Sequence, residues 1–109
     1  MAELIFSHDA MRDLLEIQSY IAERLENPES AASTIDKIKK AVLVLENFPE
    51  AGTLFLPAVL RGRDYRLLVS GNYMIFYRIR QNHIEIGRIL YGRRDYLKIL
   101  FPEKDETEK

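Results

Sequence analysis

Apolar positions recur every three or four residues in the first half of the chain and alternate in the second half. Leu4-Ile5-Phe6 is a short apolar run and predicts a first strand. Ser7 follows where a helix N-cap would stand, with Asp9 in the first turn, where a negative charge suits the helix dipole. Met11, Leu14, Leu15, Ile21 and Leu25 fall at helical spacing with Gln18 as one polar intruder, so residues 8–26 read as an amphipathic helix. Asn27-Pro28 pairs a good N-cap with proline at the first helical position and marks a break and a restart. Ala32, Ile35, Ile38, Val42 and Leu45 share one face of the second helix, which ends near Phe48-Pro49. Two helices joined by so short a break form an antiparallel hairpin with a shared apolar seam.

Residues 49–60 hold two prolines and a glycine and read as a loop with apolar anchors at Leu54, Phe55 and Leu56. Three strands are expected after it, at residues 64–69, 73–80 and 83–91, separated by the turns Ser70-Gly71-Asn72 and Gln81-Asn82. In the middle strand Tyr73, Ile75, Tyr77 and Ile79 share one face, and Met74, Phe76, Arg78 and Arg80 share the other. The tyrosine–isoleucine face is expected on the helical hairpin; the reverse also fits, because both faces begin apolar. Ile86, Ile89 and Leu90 do not fall on one face, which predicts a bulge or a bend in the last strand. Residues 95–100 close the domain as a short helix or strand. The expected fold is α+β, an N-terminal antiparallel helical hairpin packed on a small antiparallel sheet of about four strands. One domain is expected over residues 1–101, with a charged, disordered tail at 102–109.

Charge changes this picture more than composition does. Residues 61–98 carry nine Lys/Arg against three Asp/Glu, whereas residues 1–60 carry five against ten, so a net charge of −1 hides a polarised molecule. A basic region of this kind suits an anionic partner, a nucleic acid or an acidic protein segment. The chain has no cysteine and two histidines far apart, which excludes a disulfide scaffold and a thiol nucleophile and argues against a metal centre. Neither a signal peptide nor a membrane span is visible, so a soluble, cytoplasmic protein is expected.

Several segments together resemble the RelE/ParE superfamily of bacterial type II toxins. They are Phe48-Pro49-Glu50-Ala51-Gly52, Tyr65-Arg66-Leu67-Leu68-Val69, Asn72-Tyr73-Met74-Ile75-Phe76-Tyr77-Arg78, and the stretch from Ile84 through Tyr91-Gly92-Arg93-Arg94-Asp95. Their order and spacing hold over roughly residues 3–100, and the loop, the Arg-x-Leu-x-Val strand and the Gly-Arg-Arg-Asp ending are closer to ParE than to RelE. The resemblance implies a toxin held inactive by a cognate acidic antitoxin. ParE-like members inhibit DNA gyrase, and RelE-like members cut messenger RNA on the ribosome.

Metal-independent RNA cleavage needs a base for the 2′-hydroxyl, cations for the phosphorane and an acid for the leaving oxygen. By resemblance the candidates are Arg66, Arg93, Arg94 and either Tyr91 or Tyr96. Leu68 and Met74 stand where RelE-like nucleases carry further basic residues, so that set is incomplete. Gyrase inhibition is therefore the expected activity, with the endonuclease as the alternative and a degenerate, non-toxic antitoxin-binding member as a third reading. None calls for a cofactor or a metal. Arg66, Arg78, Arg88, Arg93 and Arg94 are the candidates for binding target or antitoxin, although strand arginines such as Arg78 and Arg88 also read as salt-bridged structural residues.

Overall fold

The computed structural model describes residues 2–92 and 96–102. In chain order the elements are β1 (Glu3–Phe6), α1 (His8–Ser19), α2 (Pro28–Leu43), β2 (Thr53–Leu54), α3 (Leu56–Val59), β3 (Arg66–Ser70), β4 (Tyr73–Ile79), β5 (His83–Tyr91) and α4 (Tyr96–Leu100). The strands form one sheet in the order β1-β5-β4-β3-β2. The helical hairpin and the sheet are as expected, but the sheet has five strands rather than four. The added strand, β2, pairs two residues with β3 and is too short to show alternation in the sequence. The sheet is also not wholly antiparallel, because β1 runs parallel to β5. No turn dictates that pairing, since the entire hairpin and three other strands separate the two in sequence.

Ser7 starts α1 and also moors it. Its Oγ accepts a hydrogen bond from Ala10 N at 3.0 Å and donates one to Gly87 O of β5 at 2.8 Å. Regular α-helix stops at Ser19 and continues as a π-type turn over Tyr20–Arg24, so the predicted helix over 8–26 is divided. Asn27 caps α2 by accepting from Ser30 N at 3.1 Å, with Pro28 in the first turn. The buried stripe of α1 is rotated from the predicted one. Ala10, Asp13 and Leu14 are buried and Ile17 packs beside them, whereas Met11, Leu15 and Leu25 face outward. A carboxylate inside the stripe broke the apolar pattern that periodicity follows.

The sheet has an apolar cluster on each side. Tyr73, Ile75, Tyr77 and Ile79 of β4 join Ala10, Leu14, Ile38, Val42 and Leu45 beneath the hairpin. Met74 and Phe76 join Phe55, Ala58, Leu90, Leu100 and Phe101 on the opposite side, which α3 and α4 cover. Residues 49–60 are thus more than a loop, and of the three expected anchors only Phe55 is buried. The pairing register shifts between Phe76 and Tyr77, where Arg88 and Ile86 are the successive partners, leaving Gly87 as the extra residue. This bulge lets Ile86 and Ile89 enter the same cluster while Leu90 enters the other. Among the described residues, no helix is long and apolar enough to cross a membrane.

Candidate functional site

The expected basic region is divided among three settings. The first is the loop between α2 and β2. Tyr77 is fully buried, and its hydroxyl donates to Pro49 O at 2.7 Å while accepting from Gly52 N at 3.0 Å. Arg66 Nη2 donates to Gly52 O at 3.0 Å, and Arg66 lies opposite Tyr77 in the β3–β4 pairing. Gly52 admits no side chain, because a Cβ would stand 2.6 Å from Leu67 O and 2.8 Å from the Tyr77 hydroxyl. Pro49, Gly52, Arg66 and Tyr77 therefore form a clasp that seals one end of the hairpin-side core.

The second setting is the bulge. A bulge removes a ladder partner from the local backbone, and a buried N–H left unpaired is costly. Here Asp13 of α1 accepts from Ile89 N at 2.9 Å, from Arg88 Nε at 2.8 Å and from Arg88 Nη2 at 2.9 Å. The hydrogen bond to Asp13 raises the Arg88 pKa above its ordinary value, against the lowering effect of burial. Asp13 thus joins helix, bulge and guanidinium, and it was not singled out in the sequence. Its signal was there: an aspartate three residues after Ala10 and four before Ile17, on the buried stripe.

The third setting is the rim of the second cluster. Arg78 stacks over the Tyr65 ring at 4.2 Å, and Arg61 and Arg63 lie over the Phe101 ring at 4.8 and 5.6 Å. Arg80 pairs with Asp64 at 3.0 Å, and Arg78 Nε lies 3.7 Å from the same carboxylate. Stacking on aromatic rings orients a guanidinium without neutralising it. Leu54, Leu56, Val59 and Leu60 are exposed along the adjoining β2–α3 segment, so an apolar ledge adjoins these arginines in the chain.

The structure does not bring the described nuclease candidates together. Tyr96 packs with Phe55 and Phe76 on the α3–α4 side, with ring centroids 5.8 and 6.0 Å away. Tyr91 pairs with Tyr73 across β4–β5, with ring centroids 5.7 Å apart, and faces the hairpin side. Arg66 is opposite Tyr77, four residues further along β4 than Tyr73, or roughly 13 Å at the rise of a strand. Arg93 and Arg94 lie outside the described residues.

Residues 4–96 match the model of the family described as "ParE toxin of type II toxin-antitoxin system, parDE". The chain belongs to the ParE toxin family. Its fold is similar to that of a chain described as "Chromosomal ParDE TA system from P. aeruginosa", with a TM-score of 0.69 and 25% identity, covering 84% of this chain and 96% of that one. It is also 26% identical over 68 residues to a protein of Sinorhizobium fredii (strain NBRC 101917 / NGR234) described as "Uncharacterized protein y4rH". That match covers 62% of this chain, which spans only 14% of the length of the S. fredii protein. Within this member of the family, three of the segments that carried the resemblance meet in one structural device, because the Phe48–Gly52 loop is held by Arg66 and Tyr77 of the following strands.

Proposed function

We propose that this type II toxin acts by inhibiting DNA gyrase and is neutralised by a cognate acidic antitoxin. One observation carries the choice of target: the described residues that RNA cleavage would need stand apart. Arg66 is bound to a backbone carbonyl, Tyr91 faces the hairpin side, and Tyr96 is enclosed by phenylalanines on the other side. Among the described residues, a phosphorane would thus lack a proton donor and a cation converging on one point, and such convergence is a large part of the rate in phosphoryl chemistry.

The antitoxin reading draws on the rim of the second cluster. Arg61, Arg63, Arg78 and Arg80 carry four positive charges there against Asp64 and Glu85, and the β2–α3 ledge beside them is apolar. An acidic, amphipathic segment matches both features, since apolar contact supplies affinity and charge supplies rate and register.

Purified protein tests the target. It is added to a gyrase supercoiling reaction and, separately, to a translation reaction whose message ends are mapped. Blocked supercoiling with intact messages is the expected result. Codon-internal cuts with normal supercoiling would replace gyrase inhibition by the endonuclease reading, and no effect in either reaction would leave the degenerate reading. A short acidic antitoxin, sought in the reading frame adjacent to this one, should restore supercoiling when added in equimolar amount.

A further inference from the structure

A cavity of about 610 Å³ opens between α1, its π-type extension and the paired ends of β4 and β5. Tyr20, Tyr73 and Tyr91 line it, together with Glu16 and Asp13, and among the described residues none of its lining is a lysine or an arginine. We infer that this cleft binds a cation on an aliphatic stem, namely the arginine or lysine side chain of a partner protein segment.

The rings argue for a cation. An aromatic face carries the negative part of the ring quadrupole, and several faces around one space attract a positive group. Tyr73 and Tyr91 stand 5.7 Å apart at 59°, a tilted pair rather than a parallel stack. The protein already uses one of these walls, because the Arg24 guanidinium lies 5.8 Å from the Tyr20 ring. Burial and the neighbouring Tyr91 and Tyr20 phenols raise the Tyr73 pKa.

The carboxylates add a net charge. Asp13 is spent on Arg88 and Ile89 N, whereas Glu16 makes no ion pair among the described residues. The surrounding first 60 residues hold ten acids against five bases. Ile21 and Leu25 supply the apolar wall that an aliphatic stem needs. A neutral apolar occupant would cover those residues but leave the hydroxyls and Glu16 without partners, which is unfavourable. Among the described residues, an anion would meet two carboxylates and no lining lysine or arginine.

The inference is independent of the gyrase reading and is tested on the full chain by binding alone. The protein, with labelled tyrosine rings, is titrated with the blocked tripeptide acetyl-Ala-Arg-Ala-amide and with the same peptide carrying citrulline, the neutral isostere of arginine. The arginine peptide should give saturable shifts of the Tyr20, Tyr73 and Tyr91 ring signals and bind roughly tenfold more tightly than the citrulline peptide. Glu16→Gln and Tyr91→Leu should each weaken it several-fold with the remaining spectrum unchanged. Equal affinity for the two peptides, or no saturable shift at these rings, would overturn the inference. Tighter binding of butylguanidinium than of the peptide would overturn the protein-segment assignment in favour of a free organic cation.

Discussion

On the side facing α1 and α2, β4 presents tyrosine and isoleucine to a core closed by polar ties; on the other side it presents Met74 and Phe76 to a cluster closed by two helices of four and five residues. Arginines occur on both sides and are similarly covered, with 24% side-chain exposure at Arg88 and 22% at Arg78. Their partners differ. The Asp13 side chain that holds Arg88 is 6% exposed, whereas the Asp64 side chain beside Arg78 and Arg80 is 61% exposed. A carboxylate removed from water and bonded three times is a structural tie, whereas one in solvent is screened and contributes little. Arg88 is therefore consumed in the fold through Asp13, whereas the Asp64 contacts of Arg78 and Arg80 are open to water.

Substitutions can break this contrast at its strongest point first. Gly52→Ala should destabilise by about 3 kcal/mol, because the added Cβ meets a backbone carbonyl and a buried phenol that cannot move independently. Urea denaturation measures it, and a loss below about 1 kcal/mol would show that the clasp is loose. Asp13→Ala removes the acceptor for Arg88 and Ile89 N and should cost about 2–3 kcal/mol, less than a wholly buried pair because Arg88 is partly wet. In a double-mutant cycle with Arg88→Met the two should couple by more than about 1 kcal/mol, as contacting pairs do.

Tyr77→Phe is subtler, since the ring stays and only the hydroxyl leaves. Gly52 N and Pro49 O lose their partner, and about 1–2 kcal/mol should follow. On the other side of the sheet, Arg61→Gln with Arg63→Gln should change stability by less than about 0.5 kcal/mol. The same pair should weaken capture of the acidic antitoxin and flatten its salt dependence, as measured by titration at two ionic strengths. Unchanged antitoxin binding would move the docking surface elsewhere.

The smallest effect is alkaline. The Tyr73 pKa is raised in the fold, so the folded state holds this proton longer than the unfolded chain does. Its contribution is complete below the unfolded value of about 10 and falls away as pH rises through the folded value. Tyr73→Phe should flatten the loss of stability above about pH 10, and an identical alkaline profile would remove Tyr73 as its cause.

Much of this was legible in the order of residues. The hairpin, the caps at Ser7 and Asn27, the two faces of β4 and the bulge in β5 all follow from local periodicity and capping chemistry, which need only neighbours a few positions away. The charge polarity is likewise a property of the chain alone. Tertiary structure decided what depends on distant partners: that Asp13 serves a bulge 75 and 76 residues later, that Arg66 and Tyr77 hold the Pro49–Gly52 loop, and that Tyr91 and Tyr96 part to opposite sides of the sheet. Spacing along a strand assigns residues to alternate faces, but only the packed sheet determines what covers each face, and hence whether an arginine is consumed in the fold or left for a partner.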